Sequence, residues 1–142
     1  ANFDPKDLEI EITESIAMEN VARTSVKLES LNNQGISISI DDFGTGYSSL
    51  SYLKRFPVQK LKIDKSFVKH AIVDSQDRAI IKAIISMAHS LGLTVCAEGI
   101  ETTDQLALMA SLECDYAQGY LISRPLRFDD LVSGLKKLAK AN

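Results

Sequence analysis

The chain has 142 residues, enough to bury one hydrophobic core but not two large ones. Its 45% hydrophobic and 25% charged residues are globular averages, which exclude a disordered or fibrous protein. Sixteen basic against nineteen acidic side chains leave a formal charge of -3, which gives no footprint for duplex nucleic acid and no polybasic membrane patch, yet permits an anionic ligand wherever metal ions supply positive charge.

The opening stretch, Ala1 to Pro5, reads as an interior segment of something longer, with no signal-like character. Leu8 to Thr13 alternates apolar and polar residues with period two and predicts a first strand. Val21, Val26, Leu28 and Leu31 then fall at helical spacing, and Gly35 supplies a stop. Ile36 to Ile40 predicts a second strand and Lys60 to Asp64 a third. Asp77 to Leu91 is the clearest helix, its apolar stripe made of Ile80, Ile81, Ile84, Ile85, Ala88 and Leu91. Leu93 to Ala97 follows as a fourth strand. Thr102 to Gln105 has the form of a capping box opening a helix through Leu112. Tyr116 to Gly119 predicts a fifth strand, and Phe128 to Ala139 a closing helix. About five βα units in one α/β domain imply a parallel sheet, because a parallel return needs a crossover helix. A doubly wound sheet and part of a barrel both satisfy that pattern.

The acidic residues fall at strand ends. Glu11 lies near the end of the first strand, Asp41 and Asp42 follow the second, Asp64 ends the third and Glu98 follows the fourth. In parallel α/β folds these ends share one face, where ligands bind. Several carboxylates in one mouth repel one another unless cations neutralise them, and hard oxygen donors suit Mg²⁺ or Mn²⁺ better than zinc. Two such ions can clamp the attacking and leaving oxygens of a displacement at phosphorus. Solvated caps for the following helices are the plainer account of any one of these acids.

Lys62 stands two residues before Asp64, so both point to one side of their strand. It either orients a water and steadies developing negative charge, or simply pairs with Asp64 at the surface. The stretch Asp42 to Ser49 carries Gly44, Thr45 and Gly46 after a strand. It lacks the third glycine of a dinucleotide fingerprint and the Gly-Lys-Ser/Thr of a phosphate loop, and leaves two glycines beside two aspartates or an ordinary surface turn. Cys96 and Cys114 have no second thiol or histidine at zinc spacing and read as inert, reduced thiols of a cytoplasmic protein. His70 and His89 sit singly and read as solvated or packed.

In order, Glu11-Ile12-Thr13-Glu14, Asp41 to Leu50, Lys62-Ile63-Asp64, Ala97 to Glu101 and Gln118-Gly119-Tyr120 resemble the motifs of the EAL-domain family of cyclic di-GMP phosphodiesterases. The resemblance implies the C-terminal portion of a (β/α)8 TIM-like barrel, with residues 1–142 forming a partial EAL domain. It implies hydrolysis of cyclic di-GMP to linear pGpG with two Mg²⁺ or Mn²⁺ ions. Carried over motif by motif, Glu11, Asp41 and Asp42 are metal ligands, with Asp41 bridging. Lys62 and Glu98 hold and activate the attacking water, Glu98 also lying against a metal. Gln118, Glu101 and Asp64 belong to the substrate region. Glu14, with Gly44, Thr45 and Gly46, anchors the loop that in this family couples metal binding to dimerisation.

The family's Glu-Ala-Leu signature and its asparagine motif, each a source of one metal ligand, are absent and expected upstream of Ala1. The chain alone is therefore expected to be inactive and to self-associate, as a homodimer or larger, through its open sheet edges. The rest of the domain and sensory or GGDEF domains are expected upstream, together with any membrane anchor. A non-catalytic cyclic di-GMP receptor or regulatory module is the alternative function, and a generic metal-dependent barrel with a lysine base is a third.

Overall fold

A computed structural model describes residues 4–46 and 53–138, with the side chains of the last helix described to residue 134. A 3-10 turn (Pro5–Asp7) leads into β1 (Glu9–Thr13), α1 (Glu14–Glu19), α2 (Val21–Asn32) and β2 (Ser37–Phe43). Then come β3 (Lys60–Ile63), α3 (Lys65–His70), α4 (Ser75–Ser90), β4 (Thr94–Ala97), α5 (Thr103–Ser111), β5 (Tyr116–Ala117) and α6 (Phe128–Leu138). Tyr47 to Leu50 of the glycine-bearing loop, and Ala139, lie outside the described residues.

The five strands form one sheet in the order β1-β2-β3-β4-β5, and every pairing is parallel. A doubly wound sheet reverses direction at a switch point, whereas a barrel lays each strand beside the last. The sequential order is that of a barrel wedge. Parallel crossovers put helices against the sheet, and side chains of α1 to α5 join one buried cluster with one face of it. That face takes the apolar half of each alternating strand: Ile38, Ile40, Leu61, Ile63, Val95 and Ala97 pack in one buried cluster with Ile81, Ile84, Ile85 and Ala88 of α4. The opposite face, the inside of the barrel wall, receives Glu9, Glu11, Ser39, Asp41, Lys60, Lys62 and Cys96 by the same alternation.

Local signals explain the helix starts. Thr13 caps α1 through the Ile16 amide (3.4 Å) and Asn20 caps α2 through that of Arg23 (3.1 Å). The Thr102–Gln105 capping box is present at the start of α5. At the other end of the wedge, Asp115 accepts from the Val95 amide at 2.7 Å and lies 2.9 Å from His89 Nε2, joining α4, β4 and the entry to β5.

Several boundaries differ from the sequence reading. Asp41 and Asp42 lie inside β2 rather than after it, β3 stops at Ile63, and β5 comprises only Tyr116 and Ala117. Helices α1 and α3 have six residues each, too few to show a hydrophobic period, and only their caps announce them. Val26 is exposed on α2, and Ile80 and Leu91 sit at the rim of the α4 stripe. Among the described residues, no helix is long and apolar enough to cross a membrane.

Candidate active site

Lys62 is the hub. Its side chain is 4% exposed, and its ammonium lies 2.7 Å from Glu11 Oε2, 2.6 Å from Glu98 Oε1 and 3.4 Å from Asp41 Oδ1. Three strands thus deliver carboxylates to a cation on a fourth, since β3 is flanked by β2 and β4, with β1 beyond. Burial opposes the charged form of Lys62, but the bonds to Glu11 and Glu98 outweigh it and hold the ammonium well above the usual lysine range. The surface pairing with Asp64 is not formed. Asp64 instead caps α3, its Oδ1 accepting from the Ser66 amide at 3.0 Å and from the Ser66 hydroxyl.

Consecutive strand residues point to opposite faces, yet Asp41 and Asp42 both serve the site. The register explains how. Ile40 pairs with Leu61 and Phe43 with Ile63, so three steps on β2 oppose two on β3. This is a β-bulge, which inserts one residue and re-aims a side chain. Asp42 takes φ +54°, a left-handed backbone that aspartate tolerates better than most residues. Phe43 returns to the buried face, and oxygens of Asp41, Asp42 and Glu98 come within 4.8 Å of one another. Glu98 arrives through its amide bond to Ile63 O (3.2 Å), after which Gly99 turns the chain with φ +70°.

Behind the bulge, Glu14 is buried and accepts from the Gly44 amide through Oε2 at 3.0 Å. A side chain at Gly46 would press on the same carboxylate, 3.1 Å from Oε1. Thr45 bonds back to the Asp42 carbonyl through both its hydroxyl (2.8 Å) and its amide (3.3 Å).

The remaining predicted residues lie apart from the hub. Glu101 lines a cavity of about 470 Å³ with Lys65, Ser66, Lys69, His70, Gly99 and Gln105. Gln118 is exposed; its amide donates to Ala97 O (2.9 Å) and its carbonyl accepts from Ile100 (3.0 Å). These bonds bring Gly119 so close to Ile100 that an added Cβ would sit 2.2 Å from Ile100 O. Glu11 touches Lys62 but is not one of the three clustered acids.

Below this layer is a second one that sequence reasoning missed. Lys60 pairs with Glu9 at 2.5 Å and stands 5.1 Å over the Tyr116 ring. Burial opposes ionisation of Glu9, but the Lys60 bond prevails and lowers its pKa. Ser39 is fully buried between the layers. The inward parity of Glu9, Ser39 and Lys60 was the available signal. Cys96 and Cys114 are free thiols, and burial pushes Cys96 up to about 11, as suits unreactive sulfur.

Asp41, Asp42 and Glu98 offer only carboxylate oxygen, and a buried ammonium already balances part of their charge. That donor set fits a hard divalent cation such as Mg²⁺ or Mn²⁺ and disfavours one that prefers nitrogen or sulfur.

Comparison with known proteins gives a concordant result. The model of the EAL domain matches residues 1–125. The cyclic di-GMP phosphodiesterase NbdA of Pseudomonas aeruginosa is 51% identical over 119 residues, covering 84% of this chain and 15% of NbdA. A solved structure of the MucR phosphodiesterase from the same organism, in complex with c-di-GMP, superposes with a TM-score of 0.88 at 46% identity, over 91% of this chain and 52% of that one. A manganese and cyclic di-GMP complex of BlrP1 from Klebsiella pneumoniae superposes with a TM-score of 0.81 at 35% identity, over 87% of this chain and 31% of that one. The chain therefore spans about half of the MucR structure and a small part of NbdA.

Proposed function

The chain belongs to the EAL domain family, and from that premise we propose that it supplies the Lys62-centred half of a cyclic di-GMP phosphodiesterase site, opening one phosphodiester linkage to give linear pGpG. The arrangement that carries this reading is the buried ammonium of Lys62, bonded to Glu98 beside the Asp41–Asp42–Glu98 cluster. The manganese and cyclic di-GMP complex of BlrP1 supports the choice of cation and ligand.

Asp41, Asp42 and Glu98 would hold divalent metal, with Glu11 reaching it from β1; the complete domain uses two Mg²⁺ or Mn²⁺ ions. When bound, they supply Lewis acidity at the phosphoryl oxygens. Glu98 accepts the proton of the attacking water, and Lys62 donates a hydrogen bond that fixes the water and offsets its developing charge. The water oxygen bonds to phosphorus as the bond to the leaving ribose oxygen breaks; that oxygen, opposite the attack, takes a proton from solvent, and Glu98 returns its proton to solvent. Glu101, Gln118 and Asp64 would contact the nucleotide. Glu14 holds the bulge loop from behind through Gly44.

Residues 1–142 are read as one partial EAL domain, the stretch beyond residue 125 adding α6 to the wedge. Its partners are the remainder of the domain, upstream signalling domains and a second copy. The multidomain length of NbdA supports the first two. The exposed apolar residues Tyr120, Ile122, Leu126 and Phe128 support an intermolecular or interdomain contact.

The test is product analysis with cyclic di-GMP on a complete domain carrying these residues, wild type against Glu98→Gln. Wild-type formation of pGpG, lost at least 100-fold in the variant, is expected. Binding of cyclic di-GMP without any product would replace the enzyme by a receptor.

A further inference from the structure

Away from the Lys62 cluster, the cavity of about 470 Å³ between α3 and the turn after β4 has the size that takes a small ligand. Its α3 wall carries Lys65 and Lys69, one turn apart, with Ser66 and His70 beside them. Like charges at this spacing repel, and among the described residues neither lysine is in an ion pair. Glu101 is the one acid of the lining. With His70 neutral, two lysines against one carboxylate make the cavity net positive, in a chain whose formal charge is -3. Gly99, at φ +70°, lets the turn close on Lys65, since an added Cβ would stand 2.5 Å from the Lys65 Cβ.

Gln105 adds an independent pointer to a ligand. It is only 7% exposed and lines the same cavity. Its Oε1 accepts from the Glu101 amide at 2.8 Å and the Thr102 amide at 3.1 Å, which identifies the oxygen end of the carboxamide and holds the group still. The Nε2 end has no acceptor among the described residues, although buried donors ordinarily have one. Two ammonium groups on one wall and a fixed amide donor on another suit an oxygen-rich anion.

We propose that this cavity is a second, metal-independent subsite that binds the phosphate monoester of a nucleotide through Lys65, Lys69 and the Gln105 amide. A monoester carries about 1.5 to 2 negative charges at pH 7, more than the single charge of a diester. Glu101 repels a bare anion but accepts hydrogen bonds from a base N–H or a sugar hydroxyl, so the lining favours a nucleotide over inorganic phosphate. The monoester has two possible sources, a free mononucleotide or the terminal phosphate of a linear dinucleotide such as pGpG.

The test is calorimetric titration of GMP, guanosine and pGpG into a complete domain carrying these residues, with EDTA present and thermal melts alongside. GMP is expected to bind at least tenfold tighter than guanosine. Gln105→Glu keeps a capping-box acceptor and loses the donor, and Lys69→Gln removes one charge from an exposed position. Each is expected to weaken GMP binding tenfold or more at an unchanged melting temperature. If Gln105→Glu melts lower, Lys69→Gln carries the decision. Tighter binding of pGpG than of GMP assigns the subsite to the linear dinucleotide; equal or weaker binding assigns it to a free mononucleotide. Equal affinity for guanosine and GMP, no binding of either, or wild-type GMP affinity in Lys69→Gln overturns the subsite. None of these results bears on turnover of cyclic di-GMP with metal, which tests the hydrolytic reading separately.

Discussion

Replacing Lys62 with methionine keeps an unbranched side chain one atom shorter and removes its charge, leaving Glu11, Asp41 and Glu98 to face one another. At an effective dielectric near 20, two unit charges 4 Å apart interact by about 4 kcal/mol. The contacts to Glu98 and Glu11, at 2.6 and 2.7 Å, are closer than that, but the ammonium has also been stripped of water. Breaking a buried ion pair from one side costs about 3–5 kcal/mol. Glu11 is 46% exposed and recovers hydration, so the expected loss at pH 7 without metal is smaller, about 2–3 kcal/mol. In a complete barrel domain that is a drop in melting temperature of about 5–10 °C. The pH dependence has a definite sign. The folded pKa of Lys62 lies above its ordinary 10.5, so its contribution is fully present below 10.5 and is lost as pH rises through the higher folded value. Mn²⁺ should raise the melting temperature of the variant more than that of wild type, since it replaces a missing cation. Thermal melts across pH, with and without Mn²⁺, read all of this. An unchanged or raised melting temperature in Lys62→Met at pH 7 would refute the reasoning and show that desolvation cancels the pairing.

Glu14→Ala is expected to lower turnover of the complete domain by tenfold or more while costing only about 1–3 kcal/mol of stability, because it frees the Gly44 amide and the bulge loop; matched melts and initial rates decide. Gly119→Ala should fail more broadly, since its Cβ would fall 2.3 Å from the Ile100 nitrogen, a main-chain atom that cannot step aside. A loss of about 3 kcal/mol or more in denaturant titrations is expected. The 142-residue chain alone is expected to sediment as a self-associated species and to give no detectable pGpG, and a monomer with full turnover would overturn both statements.

Much of the architecture was legible because it rests on short-range rules. Period-two alternation in Glu9–Thr13 and Lys60–Ile63 gave the strands, and the apolar stripe and caps gave α4 and α5. The gathering of Glu11, Asp41, Asp42 and Glu98 at one end followed from parallel topology. What was hidden depends on a single inserted residue or on tertiary partners. The bulge has no sequence period of its own, so Asp41 and Asp42 were expected beyond the strand when they sit within it. The partner of Lys62 could not be chosen from spacing, because Asp64 is its neighbour in sequence whereas Glu11 and Glu98 are its neighbours in space. Asp64 is followed two residues later by Ser66, and the structure forms that local cap rather than a pairing with Lys62.

The sheet order repeats the chain order, so every strand ladder joins segments that are neighbours in sequence. A cut in any one crossover of such a wedge severs the chain where only one ladder bridges the two pieces. The acids, however, are dispersed over β1, β2 and the end of β4, with their lysine on β3. No short contiguous piece therefore holds the chemistry. This combination, easy division with a shared centre, means that two pieces cut within the wedge would each hold only part of the Lys62 cluster, and the ion pairs would reform only when the pieces are brought together.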